Sequence, residues 1–417
     1  MVVQLFPFHF GRRRPPAPDW AAEERTGVPP EFEGLLRSIP ITHPMRIDIG
    51  AFANPKAEWA RWLDLITRSI EPNGFLEPAF AMTAAQHFLP GDKPMLMRIE
   101  SLDEDARQLG LFAWEHRRGA FGSFARGWCP PLVALGTPLI DSLRSAEVLD
   151  TVRAWFDREH PNVLGLMFPA VPARGPFVSL LQETAAVHGL QLRHFDPHKR
   201  AVLRSGDMGL LFDTGGKLKE MRRQRRRLTD RGDLTYRSTS TRAEVRESVE
   251  YFLALEAGGW KGRAGTALLC DPAVATFVRT MTRELAGAGN CRIDSLDLDG
   301  SPVAMGIVLS SRDQSWLWKI AYDENHASLS PGAQFVRDFT RKQLQEMSIR
   351  MTDSCAIPDH PMIDRLWPDR LEMTDVAISI SKDRAKAFER ASDGEERRRQ
   401  MRATIKRIYN TTMGKVR

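Results

Sequence analysis

The sequence predicts a mixed α/β chain built from two similar units, the first more degenerate than the second. Three observations carry this. At 417 residues the chain is too long for one ordinary core. Its 42% hydrophobic and 27% charged residues are the composition of a folded globular protein. Both halves also alternate short strand-like apolar runs with longer runs of helical period. The expected divisions are a proline- and arginine-rich arm over 1–40, a first unit over 41–208, a second over 209–382 and a charged helical tail over 383–417.

The arm carries Pro15, Pro16, Pro18, Pro29, Pro30 and Pro40 with Arg12 to Arg14, which suits a strap rather than a core element. In the first unit, 46–49 reads as a strand. Trp59, Trp62, Leu63 and Ile66 share a helix face, and 81–89 reads as a second helix. Paired strands are expected over 95–99 and 109–114. A helix around Val148, Val152 and Trp155 follows, then a strand over 163–168, a helix over 177–188 and strands over 190–195 and 201–204.

The second unit is clearer. A strand over 233–238 leads into a capping box, Thr241 with Glu244. Val245, Val249, Phe252 and Leu253 then recur at helical spacing, and Gly258-Gly259 ends that helix. Asp271-Pro272 places a cap and a first-turn proline in the favoured order. Val274, Phe277, Val278, Met281 and Leu285 form the buried face of the helix they open. Strands over 292–298 and 303–309 are joined by the turn Asp299-Gly300, and a third spans 316–322. Ser330-Pro331-Gly332 opens a helix through Phe335, Val336, Phe339 and Leu344. A strand over 349–354, a short helix over 359–366 and a strand over 373–380 complete the order β-α-α-β-β-β-α-β-α-β. The tail reads as a solvated helix with a break near Ser392-Asp393-Gly394.

Several classes of function are disfavoured. Cys129, Cys270, Cys291 and Cys355 form no C-x-x-C pair, which argues against a zinc site or a disulfide framework and fits a reducing compartment. His188, His194 and His198 are not spaced as ligands of one helix, so no metal is expected. No apolar run approaches the roughly 20 residues that span a bilayer. The N-terminal apolar stretch precedes its arginines, the reverse of a secretory signal, so no integral membrane segment and a cytoplasmic location are expected. The net charge of +6 favours anionic partners: nucleotide phosphates, nucleic acid or an acidic membrane surface.

Three segments carry a family resemblance: LEAGGWKG at 255–262, IAYDENHASLSPGAQF at 320–335 and DSCAIPDHPMIDRLWPDR at 353–370. With the element order, they make 210–380 resemble the GNAT acyltransferase fold, and more narrowly the acetyltransferase domain of cellulose-biosynthesis and exopolysaccharide-operon proteins. The repeated unit also looks like a tandem GNAT arrangement of the Fem type, whose members use aminoacyl-tRNA. The resemblance implies an acyltransferase with acyl-CoA, acetyl-CoA first, as co-substrate. It also implies a small or glycan-linked amine as acceptor, in polysaccharide or cell-envelope synthesis.

Under that resemblance the residues take roles. The turn Ser330, Gly332, Ala333 and Gln334 is where such enzymes cradle the coenzyme A pyrophosphate, since backbone N–H groups and the helix dipole make an anion site. Relatives carry further glycines there, and here Gly332 alone remains. Glu256, Asp353 and His360 are the candidate catalytic groups, because an ammonium acceptor must lose a proton before attack. Trp260, Lys261 and Asp323 are candidate substrate contacts. An ordinary reading stands beside each: a helix start at Ser330, a packed Trp260, a solvated Lys261, caps or turns at Asp323 and Asp353, a surface histidine at His360.

The run from Lys217 to Arg231 is an amphipathic helix with Lys219, Arg222, Arg223, Arg226 and Arg227 outward. tRNA, an anionic lipid surface and the 3′-phosphate of coenzyme A all fit it, as does a merely solvated face. Two alternatives to a coenzyme A enzyme therefore stay open: a Fem-like aminoacyl-tRNA-dependent transferase, and a non-catalytic exopolysaccharide-assembly protein that keeps the fold.

Overall fold

The computed structural model describes residues 45–51, 59–87, 94–103, 106–115, 124–207 and 216–413; the expected arm over 1–40 lies outside them. In chain order the elements begin β1 (Met45–Ala51), α1 (Trp59–Arg68), α2 (Pro78–His87), β2 (Met95–Ser101) and β3 (Gln108–Trp114). They continue β4 (Phe124–Arg126), β5 (Leu139–Ile140), α3 (Ser145–Glu159), β6 (Gly165–Pro172), α4 (Pro176–His188) and β7 (Leu192–Arg204). Next come α5 (Gly216–Thr229), β8 (Leu234–Thr239), α6 (Arg242–Gly258), α7 (Trp260–Arg263) and α8 (Pro272–Gly287). Then follow β9 (Cys291–Leu298), β10 (Ser301–Ser311), β11 (Gln314–Tyr322) and α9 (Pro331–Leu344). The last are β12 (Met351–Asp353), α10 (Ile363–Leu366), β13 (Arg370–Ser379) and α11 (Ala385–Met413).

The chain divides into two compact units that are not consecutive halves. Among the described residues, one takes those within 45–50, 95–197 and 373–413, and the other those within 51–94 and 198–372. The first holds a sheet in the order β1-β2-β3-β5, and in it β6 pairs parallel with β4 and antiparallel with β13. Its last helix differs from the solvated, interrupted tail expected from sequence. α11 runs unbroken through Gly394, and Phe388 is buried with Met167, Phe195 and Ala377. Arg399 pairs with Asp375 and Glu395 and lies over the Phe195 ring. A single glycine costs a helix only about 1 kcal/mol relative to alanine, less than burial of one phenylalanine contributes.

The second unit is a sheet in the order β7-β12-β11-β10-β9-β8, antiparallel except where β11 meets β12. α9 covers one face: Phe335, Val336 and Phe339 pack with Leu317, Val308, Ala304 and Leu296. The other face is covered by α6 and α8, and α2, which is supplied from far upstream in the chain, packs on α8. Phe80 of α2 meets Phe277 and Trp318 edge-on, and Phe75 meets Trp316. Gly74 has no room for a side chain, since a Cβ there would lie 2.8 Å from the Trp316 ring.

Departures within single elements are local. The strands expected at 190–195 and 201–204 are one strand, β7, with Asp196 in the left-handed region just before Pro197. The strand expected at 349–354 shortens to three residues, and the helix at 359–366 shortens to four. Pro361 and Asp359 explain the second, because the proline steers His360 away from helical geometry and Asp359 is left-handed, φ 57°.

The upstream helices also bring a buried acid. Glu77 accepts from the Ser311 hydroxyl at 2.6 Å, and burial pushes its pKa from 4.5 up to about 7, against the hydrogen bonds of Ser311 and Asn290. Between those two values the folded state binds the extra proton. Stability therefore falls as pH rises through that window, by about 3 kcal/mol in all, and the loss is complete above it. Glu77→Gln should remove this part of the slope. The check is the difference in urea midpoint between about pH 5 and about pH 8 in both proteins; an unchanged difference would show that Glu77 does not titrate there.

Candidate active site

The site is set by how β11 leaves its neighbour. β11 and β12 pair in parallel over three residues only, Gln314 with Met351, Ser315 with Thr352 and Trp316 with Asp353. β11 then continues to Tyr322 with no further partner in β12. Its pairing with β10 shifts register between Ile307 and Val308, leaving Trp318 as the extra residue. The side chains show the same slip: Leu317, Ile320 and Tyr322 pack toward α9, while Trp316 and Trp318 pack toward α2 and α8. A bulge re-aims side chains in this way, and here it turns Lys319 to the Trp318 side, with its ammonium 5.4 Å from the centre of that ring.

Glu256 closes the buried face of α6. Its Oε1 accepts from Lys261 Nζ at 2.6 Å and its Oε2 from the Leu268 N–H at 2.8 Å. The carboxylate is buried, whereas Lys261 keeps about a fifth of its side chain exposed. Trp260 opens the short α7, half-buried, its N–H donating to Glu324 Oε1. Lys319 stands near this pair. Burial, then the charge of Lys261, pushes its pKa down to about 8, and Glu256 opposes the shift.

Asp353 ends β12. It is 2% exposed, its Oδ2 pairs with Arg200 at 3.2 Å and its Oδ1 accepts from the Cys355 N–H at 2.8 Å. Cys355 follows in the left-handed region, φ 50°, and burial together with the Asp353 charge pushes its thiol well above the ordinary range. A carboxylate so enclosed clamps the strand end and is poorly placed to take a proton from a substrate. His360 likewise is engaged. Its Nδ1 accepts from the N–H groups of Met362 and Ile363 at 3.3 and 3.4 Å, so it ties down the turn that leads into α10. Those donors put the ring proton on Nε2, and burial lowers the pKa, so the ring is neutral. Asp323 caps the turn that follows β11, accepting from the Asn325 N–H at 2.9 Å.

The turn at 330–334 offers an anion less than its position promised. Ser330 is left-handed, φ 52°, and Pro331 has no N–H to give. The N–H groups of Ala333 and Gln334 both donate to the Ser330 carbonyl. Gln334 is fully buried and its side chain donates to the Met221 carbonyl in α5 at 2.9 Å. That leaves the Gly332 N–H, with the Tyr322 ring and the Met362 sulfur 3.4 and 3.7 Å from where a Cβ would stand. A diphosphate would thus gain one helix-start amide rather than a cradle of several.

Positive charge nearby comes from α5. It is tied to α9 by the Arg225–Asp338 pair at 2.6 Å and by Gln334, and Arg231 reaches His326 just ahead of Ser330. Lys219, Arg222, Arg223, Arg226, Arg227 and Arg231 are exposed. Along α9, Arg337 is pushed below its ordinary pKa by burial and by the charges of Arg341, Arg225 and Arg222. Sequence reasoning gave the arginine helix but not its position at this mouth, nor Arg200 and Lys319, which no motif marks. A cavity lined by Gln191, Leu192, Arg193 and Glu389 lies in the other unit, and none of the site residues lines it.

Known proteins bear on the fold. Residues 216–357 match the family described as Acetyltransferase (GNAT) domain. The crystal structure of FemX is 11% identical over 80% of this chain and 96% of that one, with a TM-score of 0.50. A conserved protein of unknown function from Bacteroides thetaiotaomicron is 12% identical over 80% of this chain and 100% of that one, also at 0.50. A tandem GNAT protein from the clavulanic acid biosynthesis pathway is 13% identical over 81% and 99%, at 0.41, too distant to argue from. No curated protein matches. At these identities the likeness speaks to the fold alone, a mixed α/β fold of GNAT type with its acetyltransferase-like domain over 216–357. Among the described residues no helix is long and apolar enough to cross a membrane.

Proposed function

We propose that the second unit is a GNAT-type transferase that moves an acyl group, acetyl first among them, from an acyl-coenzyme A to an amine. The observation that carries the reading is the end of the β11–β12 ladder at Trp316 and Asp353. Beyond it, the backbone edge of 317–322 can pair with an extended donor arm as a strand would, and its N–H groups can polarise a carbonyl. Bound acyl-coenzyme A supplies the activated thioester. The Gly332 N–H and the arginines of α5 hold its anionic end.

Of the three candidate bases, Glu256 suits the acceptor's proton best. Asp353 is as buried and also makes two bonds, but its cation Arg200 is buried too, whereas Lys261 keeps about a fifth of its side chain exposed and opens that side of Glu256 to solvent. Attack is direct, with donor and acceptor held together. Polysaccharide or cell-envelope synthesis is the setting to which the three matching segments point.

A second reading has its own observation. The exposed cations from Lys219 to Arg227 extend along about 12 Å of helix, longer than one diphosphate and suited to successive phosphates of an RNA strand. An aminoacyl-tRNA would then be the donor. Thermal unfolding with acetyl-coenzyme A and retention of aminoacyl-tRNA across a salt series separate the two. The first reading expects about 2.7 kcal/mol of stabilisation at a hundredfold excess over the dissociation constant. The second expects retention that weakens steeply with salt and is lost in Arg226→Glu/Arg227→Glu. If neither donor binds, the chain keeps the fold without the chemistry, as an assembly protein would.

A further inference from the structure

The helix α11 changes character along its length. As far as Gln400 it is anchored: Phe388, Ser392 and Glu395 are buried, and Arg399 is held by Asp375 and Glu395. From Met401 to Ile405 every residue is exposed, and the helix runs on to Met413. Those residues cover more than one full turn, so no side of the helix is packed there. Met401 and Ile405, 64% and 59% exposed, stand four residues apart and so share one side.

This stretch is poorly equipped to stay helical in water alone. A helix that meets water on every side depends on ion pairs between successive turns. The last acidic residue in the sequence is Glu396, and residues 397–417 hold eight lysines and arginines. Arg398 and Arg399 are matched by Glu395 and Asp375. The other six, Arg397, Arg402, Lys406, Arg407, Lys415 and Arg417, have no acid in this stretch to offset them. Arg398, Arg402 and Lys406 also follow one another at a spacing of four, where like charges repel. The helix dipole favours cations only near the last turn, and Arg402 lies well before it.

We propose that α11 from Arg397 onward docks on a membrane surface rich in anionic lipid, lying in the interface rather than crossing it. Anionic headgroups supply the missing negative charge, and the acyl boundary takes Met401 and Ile405 out of water. Ile408, Tyr409 and Met413 add apolar content to the same segment. An RNA strand would satisfy the cations and leave methionine and isoleucine in water. A second copy of α11 would cover those side chains but bring two sets of cations together. An acidic protein groove would need a matched shape as well, whereas a lipid surface needs only charge and apolar depth, the two properties present.

The test is co-sedimentation of the full chain with vesicles of phosphatidylglycerol and phosphatidylcholine in equal parts, and with vesicles of phosphatidylcholine alone. Binding is expected to the first and not to the second, and it should weaken as salt rises. Arg397→Gln/Arg402→Gln should weaken it about 10- to 30-fold, and Met401→Gln/Ile405→Gln about tenfold or more. All four residues are exposed and glutamine keeps helix propensity, so both variants should retain the wild-type urea midpoint. On the vesicles the amides of 401–413 should exchange hydrogen more slowly. Equal binding to both vesicle types, or binding unchanged in either variant, would overturn the proposal. So would a larger loss in Arg226→Glu/Arg227→Glu than in the α11 variants, which would place the contact on α5. A dimer abolished by Met401→Gln/Ile405→Gln would assign the face to a second copy. Retention on polyuridylate or polyglutamate without vesicle binding would assign it to RNA or to an acidic protein. Vesicle binding needs neither donor nor acyl transfer, so it stands or falls apart from the transferase reading.

Discussion

Asp353→Leu is expected to destabilise the second unit by about 3–5 kcal/mol, the usual cost of removing one partner of a buried ion pair. Arg200 would be left 6% exposed with its carboxylate gone. The cost arises from a buried guanidinium that loses this carboxylate while staying out of water. The double variant Arg200→Met/Asp353→Leu should therefore be more stable than either single variant. It should fall short of the wild type by only about 1–2 kcal/mol, part of it the bond from the Cys355 N–H that neither substitution replaces. Urea unfolding of the four proteins measures this directly. If Asp353 were instead the catalytic base, Asp353→Asn would lose turnover with an unchanged midpoint. That result would falsify the clamp.

This pair also shows what a sequence can and cannot reveal. Asp353 is conspicuous in the chain because it ends a strand in a segment of family character, and a carboxylate so placed invites a catalytic role. What decides its role is Arg200, which lies 153 residues away and reaches it because β7 and β12 pair antiparallel, Val202 opposite Asp353. Nothing in the local pattern around Arg200 announces that partner. Lys319 is a similar case: in a regular strand it would alternate to the α9 side, and only the bulge at Trp318 brings it over the Trp318 ring.

Elements governed by local rules were legible. Thr241 with Glu244 forms the capping box, and Asp271-Pro272 starts α8 with the Asp271 carboxylate accepting from the N–H of Ala273 and Val274. The helix period of Phe277, Val278, Met281 and Leu285 marks the face that is buried. The contribution of α2 to the second unit was not legible, because its uniformly buried residues give no amphipathic signature of which sheet they cover. The turn at Ser330 stands between these cases. Its position at a helix start follows from Pro331, but the occupation of its amides depends on backbone geometry and on α5, which sequence spacing does not encode.

Glu256→Gln is expected to lower turnover about a hundredfold or more, within the range for a positioned base, while leaving donor binding and most of the stability intact. The amide oxygen and its neighbours can still accept one of the two bonds from Lys261 and Leu268, and Lys261, a fifth exposed, can turn toward water. Lys261→Met should show the opposite balance in stability. It leaves the Glu256 carboxylate buried with the Leu268 N–H as its remaining donor, a loss of about 1.5–3 kcal/mol. His360→Ala provides the contrast within the same cluster. If His360 only ties the turn ahead of α10, its removal costs about 0.5–1.5 kcal/mol and leaves the rate per folded molecule nearly unchanged. Measured together, kcat, KM and urea midpoints of the three variants separate a base from a turn tie and from an anchor. Full turnover in Glu256→Gln would reduce Glu256 to the anchor of Lys261, and a hundredfold loss in His360→Ala with an unchanged midpoint would move the base to the imidazole.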